Sequence, residues 1–268
     1  MYRLTNNICH MKGQEMKNNY ILTYNINAWL PVAPKISFAE KLEVFSNYVK
    51  ELYGEPAVIM LQEMIAGCGQ KFLKVLKNVF SEYEVITPAF DYYKHPQSIM
   101  AVTLIRKDIL EDYTIEVIDT ELPNRVNSVL ANLKGIPYRI VNTHMVQVTN
   151  FENRAPWYIM ERQRLHYEMW KLLMQEAEKN KTENTIIAGD FQERETDSHI
   201  SHISNMGYRM ARTRQATVNN AFFGENHIDH IMFSASAYQK LKPLSIMVDT
   251  SEVGRLSDHA MVYAACVS

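Results

Sequence analysis

The chain has 268 residues, 47% of them hydrophobic, and a formal net charge of −2 at pH 7. A charge this close to neutral excludes a basic field over the whole surface, so a polyanion must be held by a local cluster of Arg and Lys. The 3 cysteines are too few and too scattered for a disulfide framework or a thiolate metal site.

The sequence contains no Pro-, Gly- or Ser-rich linker and no long charge run, so we predict one domain over residues 20–268. Residues 1–19 are polar and show no hydrophobic period, which indicates a loose N-terminal tail. No apolar run approaches the ~20 residues of a membrane span, and the opening residues lack the apolar region of a secretory signal. We therefore expect a cytoplasmic protein without a membrane span.

The first predicted elements are a strand, a helix and a second strand. Alternating apolar residues predict a strand over 20–25. Ser37 and Glu40 have the Ser-x-x-Glu spacing of a capping box, which opens a helix. The predicted apolar face of this helix consists of Phe38, Leu42, Phe45, Val49 and Leu52. A strand over 57–62 follows, and a strand-helix-strand unit of this length predicts a parallel pair.

A second helix is predicted over 70–80, followed by closely spaced strands that favour an antiparallel meander. These strands are 83–87, 98–106, 113–118, 126–133 and 137–143. The long helical pattern over 154–180 has an apolar face that consists of Trp157, Met160, Leu165, Met169, Leu172 and Leu173. The remaining elements are a strand at 185–188, a helix at 196–206 and strands at 228–233, 244–248 and 260–266. Strand runs beside βαβ units indicate a mixed sheet, or two sheets packed face to face.

Polar side chains that can bind a metal or move a proton stand at the ends of most of these strands. In chain order they are Asn25, Glu63, His144, Asp190 with Gln192, Asp229, and Asp258 with His259. Open α/β sheets gather strand ends along one edge, which predicts a single shared site. Oxygen ligands of this kind suit Mg²⁺ or Mn²⁺, and histidines among carboxylates transfer protons near neutral pH. The chemistry that the set predicts is attack of water on a phosphate ester.

Each of these features taken alone also has an ordinary structural interpretation. A Gly-Asp pair such as Gly189-Asp190 is common in turns after a strand. Glu63 fits a helix-capping or solvated acid. Arg125, at the start of a predicted strand, fits either a solvated residue or a fork onto phosphate oxygens.

Two further clusters are weaker candidates for binding. His199 and His202 lie three residues apart on one predicted helix, but no third metal ligand lies nearby in the sequence. Basic and aromatic side chains in the loops near 91–97 and 208–214 could hold a nucleic-acid backbone, or could form a solvated surface. These loop side chains are Tyr92, Tyr93, Lys94, Arg209, Arg212 and Arg214.

At the polar strand ends the sequence resembles the endonuclease/exonuclease/phosphatase family, the DNase I-like enzymes. The matching motifs are Asn25, Leu61-Gln62-Glu63, Asn142-Thr143-His144, Gly189-Asp190-Phe191, Ile228-Asp229-His230-Ile231 and Ser257-Asp258-His259. Each motif is weak alone, but six in the family's order over about residues 21–264 are specific. The resemblance implies an α/β (α+β) fold, a four-layer α/β/β/α sandwich of two mixed β-sheets face to face with helices outside.

The resemblance also implies roles for individual residues. Glu63 would be the principal metal ligand, for Mg²⁺ or Mn²⁺, with help from Asn25 and Asp258. Asp190 would orient or deprotonate the attacking water. The metal would neutralise developing charge and lower the pKa of the leaving group.

The remaining implied roles concern contacts with the phosphate. Asp229 would hold His259 so that its imidazole stabilises charge at phosphorus. His144 would be a second contact or the acid toward the leaving oxygen, and Arg125 would contact a phosphate oxygen.

The chain departs from the family pattern at two places. The family usually has Asn where Gln192 stands, and Gln carries its amide about 1.5 Å further. The DNase branch pairs the equivalent of His144 with a carboxylate, whereas residues 97–100 offer none. The first departure affects phosphate contact or substrate choice, and the second affects His144 as a proton donor.

Three functions are therefore weighed. The leading hypothesis is an Mg²⁺-dependent phosphodiesterase, an endonuclease or exonuclease acting on DNA or RNA. The second is a phosphatase or phosphodiesterase acting on inositol phosphates, phospholipids or small nucleotides, which the near-neutral charge favours. The third is a catalytically silent phosphate-ligand binding protein, favoured only by Gln192. No protein partner is implied.

Overall fold

The computed structural model describes residues 19–27, 36–65, 71–91, 99–148, 154–210, 215–220, 224–251 and 256–266. The strands in these ranges are β1 Asn19–Asn25, β2 Val58–Ile65, β3 Tyr83–Ile86, β4 Ile99–Arg106, β5 Leu110–Glu116, β6 Val126–Leu133, β7 Ile136–His144, β8 Thr185–Asp190, β9 Arg209–Met210, β10 Val218–Asn220, β11 Gly224–Asn226, β12 Asp229–Phe233, β13 Pro243–Asp249 and β14 Met261–Cys266. The α-helices are α1 Phe38–Tyr53, α2 Lys71–Val79, α3 Pro156–Lys179, α4 Ser198–Asn205 and α5 Ala235–Leu241. A single 3₁₀ turn, Pro123–Arg125, precedes β6.

The long strands form two six-stranded sheets. The first has the order β13-β14-β1-β2-β4-β3 and the second β5-β6-β7-β8-β12-β9, while β10 and β11 form a separate hairpin. The pairs β1/β2 and β7/β8 are parallel, and the other pairs within the two sheets are antiparallel. The prediction of two mixed sheets is confirmed.

Three apolar clusters show how the layers stack. One lies between the sheets and includes Met60 and Ile140. A second packs α1 and α2 onto the outer face of the first sheet, with Phe45 fully buried. The third packs α3 and α4 onto the outer face of the second sheet around Trp170 and Ile200. This stacking confirms the predicted four-layer α/β/β/α sandwich.

Helix α1 forms where the sequence predicts it because its capping box is complete. Ser37 Oγ accepts from the backbone N–H of Glu40, and the Glu40 carboxylate accepts from the backbone N–H of Ser37. The helix ends at Gly54, whose φ is 66°. Leu52 was predicted to face the core, and this is wrong, because its side chain is 50% exposed.

Two further sequence predictions are wrong in detail. Trp157 and Met160 are 71% and 68% exposed, and the buried residues of α3 begin further along the helix, at His166. The predicted meander divides between the sheets, since β4 pairs with β2 and β3 whereas β5 pairs with β6. Strand spacing alone cannot tell a hairpin from a turn that crosses between two packed sheets.

Several predictions fall on residues outside the described ranges. These are the tail 1–18, Cys9, Cys68, Tyr92, Tyr93, Lys94, Gln97, Arg212 and Arg214. Cys266 is buried in β14. In the described part of the chain, no helix has both the length and the apolar character needed to cross a membrane.

Gly189 is required by the close contact of β7 and β8. It pairs with Thr143 in the parallel register, has φ of 146°, and an added Cβ would lie 1.8 Å from the Thr143 carbonyl oxygen.

We expect Gly189→Ala to lower the free energy of unfolding by about 3 kcal/mol or more, measured by urea denaturation. The control is Gly135→Ala, where φ is 76° but nothing lies within 4 Å; it should cost about 1 kcal/mol. Equal losses in the two variants would contradict the argument.

Candidate active site

The polar strand ends of both sheets meet at one edge of the sandwich. Asn25 ends β1 and Glu63 lies in β2, both in the first sheet. In the second sheet, His144 is the register partner of Asp190, and Asp190 is the register partner of Asp229. Neighbouring strands thus place these three side chains side by side.

A β-bulge places Glu63. The pairing of β2 with β4 shifts register between Leu61 and Met64, and Glu63 has a left-handed φ of 56°. A bulge redirects a side chain that regular alternation would send to the other face. Here it brings Glu63 Oε1 to 3.3 Å from Asn25 Nδ2 and 3.4 Å from His144 Nε2.

Asn25 joins the two sheets through its side-chain amide. Its Nδ2 donates to Asp190 Oδ2 at 3.0 Å as well as to Glu63, and its Oδ1 accepts from the backbone N–H of Asn27 at 3.0 Å. The amide therefore presents N–H groups to the two acids. To bind a metal through Oδ1, as the family resemblance implies, the amide would have to rotate and give up these bonds.

Asp190 is fully buried among other charges. Burial, and next the charge of Asp229, raise the pKa of Asp190 to about 7. Gln192 Nε2 donates to both carboxylate oxygens of Asp190, at 2.9 and 2.8 Å, and the Gln192 backbone N–H donates to Oδ1 at 3.1 Å. The backbone of Gln192 is left-handed, with φ of 56°. Its side chain, longer than that of Asn, folds back and donates to Asp190.

Asp229 and His259 form a buried ion pair. His259 Nδ1 lies 2.9 Å from Asp229 Oδ2, and His259 Nε2 lies 3.9 Å from Asp190 Oδ2. Burial acts to lower the pKa of His259, but the adjacent Asp229, with help from Asp190 and Asp258, raises it to about 10. The imidazole is therefore a cation at neutral pH, with its Nε2–H directed into the site.

His144 is in the opposite state. Burial, and then the charges of Arg125 and His259, hold the pKa of His144 well below its usual range. Its Nε2 lies 3.8 Å from Asp190 Oδ2, which is too long for a hydrogen bond. A neutral ring is a poor acid, so His144 is better suited to donating a hydrogen bond than to protonating a leaving group.

Two arginines lie next to these groups. Arg125 Nη1 donates to the carbonyls of His144 and Met145 at 3.3 and 3.2 Å. Burial, and next the charge of Arg162, lower the pKa of Arg125 to about 10, and burial also lowers the pKa of Arg162. These two half-buried cations repel each other, so an anion next to both would be favourable.

Arg162 lies near Arg125 and His144, and sequence analysis did not select it. Its Nε donates to the carbonyl of Gln147 at 3.0 Å. The available signal was spacing: Arg162 lies four and seven residues before the buried His166 and Met169, and so continues their helix face by one turn.

Asp258 is held by Asn27, which is held in turn by Lys41. Sequence analysis selected neither of these two residues. Asn27 Nδ2 donates to Asp258 Oδ1 at 2.7 Å, and Lys41 Nζ donates to the Asn27 carbonyl at 2.7 Å. Lys41 is only 2% exposed, and burial lowers its pKa to about 8 despite the charges of Glu63 and Asp258. A lysine beside Glu40 in a helix gives no sequence sign that it is buried.

The side chains at this edge fit a divalent cation on the Glu63 side. Burial raises the pKa of Glu63 although His259, Asn25 and Arg125 act to lower it, and a bound cation would favour the ionised carboxylate. Ligand atoms of Asp190, Asp229 and His259 lie within 4.8 Å of one another. These three side chains are therefore a second possible position for a cation at the same edge.

Comparison with solved structures identifies the fold. Truncated TDP2 of Caenorhabditis elegans is 14% identical, with a TM-score of 0.68, over 94% of this chain and 98% of that chain. The 3′ phosphatase NExo from Neisseria, bound to a product DNA hairpin, is 15% identical, with a TM-score of 0.67, over 92% and 99%. An AP endonuclease from Archaeoglobus fulgidus is 14% identical, with a TM-score of 0.67, over 93% and 100%.

No protein-family model and no curated protein sequence matches the chain. The structural likeness nevertheless covers nearly the whole length on both sides, and the neighbours share one architecture. The fold is that of the endonuclease/exonuclease/phosphatase, or DNase I-like, family.

The charge balance at Asn25 can be tested without any substrate. In EDTA, Asn25→Asp would add a third buried carboxylate beside Glu63 and Asp190 and should lower the free energy of unfolding by about 2–4 kcal/mol. Added Mg²⁺ should raise the melting temperature of this variant more than that of the wild type.

The matched control is Asn132→Asp, since Asn132 also donates to a carboxylate, that of Glu111, but at an exposed position. It should change stability by less than about 1 kcal/mol. An Asn25→Asp variant that melts like this control, with no added response to Mg²⁺, would contradict the proposed charge balance.

Proposed function

We propose that this chain is a metal-dependent phosphodiesterase that hydrolyses nucleic acid, with DNA as the favoured substrate. The observation that carries the proposal is geometric: His259, held by Asp229 at 2.9 Å, places its Nε2 3.9 Å from Asp190 Oδ2. Attack of water on a phosphate requires a base that accepts a proton from the water and a cation that stabilises charge on the phosphate oxygens, and these two side chains are adjacent.

Asp190 is the proposed base. A carboxylate whose pKa is near the working pH both exists in the ionised form and accepts a proton readily. Asn25 and Gln192 fix its orientation by donating to its oxygens, so it can direct a water molecule at phosphorus.

His259 is the proposed phosphate contact, and Asp229 is its positioning residue. The Asp229 carboxylate keeps the imidazole charged and aims Nε2 into the site. His144 adds a neutral N–H donor, and Arg125 with Arg162 adds positive charge on the same side. Charge that develops on the phosphate oxygens would thus be stabilised by fixed donors.

Glu63 and Asp258 are the proposed ligands for Mg²⁺ or Mn²⁺, with Asn25 as a third ligand if its amide rotates. Such an ion, when bound, supplies charge neutralisation at the phosphate and a lower pKa of the leaving group. Carboxylate and amide oxygens are the donors that these ions prefer.

The comparisons support DNA as the substrate class. The neighbour NExo is a 3′ phosphatase bound to a product DNA hairpin, and another neighbour is an AP endonuclease. The net charge of −2 supports a second candidate, a phosphatase for small phosphoesters, because such substrates need no extended basic surface. The two candidates use the same catalytic residues and differ in substrate.

A labelled-oligonucleotide assay tests the proposal. Cleavage of single-stranded and duplex DNA should require Mg²⁺ or Mn²⁺, stop with EDTA, and fall about 10³-fold or more in Asp190→Asn and in His259→Ala. Ser236→Ala, near the start of α5, is the control and should keep wild-type activity.

Release of phosphate from small phosphomonoesters without cleavage of DNA would favour the second candidate. Silence of the folded wild type across both substrate classes would contradict hydrolase function and would favour a binding protein.

The coupling of Asp229 to His259 gives a separate prediction. If Asp229 acts through His259, Asp229→Asn should lower kcat about 10²-fold or more, and adding it to His259→Ala should cause little further loss. Single-turnover rates of the two single variants and the double variant measure this coupling. Losses that multiply in the double variant would show that Asp229 acts independently of His259.

A further inference from the structure

A second group of metal-binding side chains lies on the outer face of the second sheet, between α3 and α4. It consists of His166 from α3, Glu193 from the loop after β8, and His199 from α4. Their ligand atoms lie within 4.8 Å of one another. Sequence analysis paired His199 with His202 and found no third ligand, but His202 is exposed and the other ligands come from distant segments.

The tautomer of His166 is fixed by the backbone. His166 Nδ1 lies 2.6 Å from the carbonyl oxygen of Val146, so Nδ1 carries the proton that it donates. This leaves the lone pair of Nε2 facing Glu193 Oε1 at 3.6 Å. Such a backbone hydrogen bond is the usual support of a metal-ligating histidine.

That lone pair and the carboxylate oxygen repel each other unless a proton or a metal ion lies between them. Their separation of 3.6 Å is longer than a hydrogen bond. It is close to the spacing of about 3.4 Å between two ligand atoms of a tetrahedral ion at metal–ligand distances of about 2.1 Å. The geometry of His166 and Glu193 therefore suits a metal ion better than direct contact.

The two carboxylate oxygens of Glu193 differ in their hydrogen bonding. Oε1 accepts from His199 Nδ1 at 2.6 Å. Oε2 is buried and has no hydrogen-bond partner among the described residues. A buried carboxylate oxygen without a partner is costly, and a cation at this point would satisfy it.

Surrounding contacts hold the group in place. Trp170 stacks on the His199 ring, with centroids 4.9 Å apart and planes 9° apart. His230 Nε2 lies 2.8 Å from the Glu193 carbonyl oxygen and fixes the loop. The His166, Glu193 and His199 side chains are 11%, 13% and 24% exposed, so an ion can reach them from solvent.

We propose that His166 Nε2, His199 Nδ1 and the Glu193 carboxylate bind a transition-metal ion of the Zn²⁺ class, with water in a fourth position. Two imidazoles and one carboxylate suit Zn²⁺, whereas Mg²⁺ prefers oxygen ligands alone. Binding requires the proton on His199 Nδ1 to move to Nε2, the other ring nitrogen, so that Nδ1 offers its lone pair to the metal. The site does not depend on the proposed hydrolase activity.

The experiment measures Zn²⁺ on untagged full-length protein in the presence of excess Mg²⁺, which occupies the oxygen-rich site. Metal content after dialysis should be one Zn²⁺ per wild-type chain and near zero in the double variant His166→Gln with His199→Gln. His202→Ala, on the same helix as His199, is the matched control and should keep the metal. Substituted Co²⁺ should show the strong visible absorption of four-coordinate cobalt in the wild type and lose it in the double variant.

A folding defect is separated from loss of the site by Glu193→Gln, which keeps the side-chain shape. It should weaken Zn²⁺ binding at least 10-fold and abolish the Zn²⁺-dependent rise in melting temperature while its circular dichroism in EDTA stays native. No Zn²⁺ on the wild type, or equal Zn²⁺ in the wild type and Glu193→Gln, would overturn the proposal.

Discussion

The hydrogen bond from Asn25 Nδ2 to Asp190 Oδ2 joins the two sheets within the candidate active site. Directly beneath it, Gln62 Nε2 donates to Asn142 Oδ1 at 2.7 Å, again from the first sheet to the second. Buried amides and carboxylates must find partners, because leaving one unpaired costs about 1–3 kcal/mol. These cross-sheet bonds therefore fix how far apart the sheets sit and which strand ends face each other. The acids of the two sheets share a site because this spacing is fixed.

Backbone strain is concentrated at the same edge. Asn27, Glu63 and Gln192 all have positive φ, a conformation that costs non-glycine residues of order 1 kcal/mol each. Each of the three makes or receives a hydrogen bond in the site: Asn27 with Asp258, Glu63 with Asn25, and Gln192 with Asp190. The apolar layers on both sides of the sheets supply the stability that sustains this strain. Because Gly189 has no Cβ, β8 can approach β7 closely at Thr143, and the next residue pair in the register is Asp190 with His144.

Much of the fold and part of the site could be predicted from the sequence, because both rest on local patterns. The capping box at Ser37 and the apolar runs that end in polar residues can be read along the chain. Lys41 could not be selected in this way, since its contact comes from a segment that packs beside it in three dimensions. Arg162 had one local signal, its helix spacing to His166 and Met169. Sequence analysis considered His199 together with His202, whereas in the structure His199 contacts Glu193, which a loop and not helix spacing brings near.

The loop after β8 connects the two candidate sites through adjacent residues. Gln192 turns toward Asp190, and Glu193 turns the other way, toward His166 and His199. The two sites select different ions, because one offers oxygens and the other mainly nitrogens. An ion held by Glu193 would restrict the backbone that carries the Gln192 amide, and so would hold Asp190 in the orientation that a base needs. The proposed nitrogen-rich site would thus have a structural role that requires no chemistry of its own, and its effect on the candidate active site would pass through the peptide bond between Gln192 and Glu193.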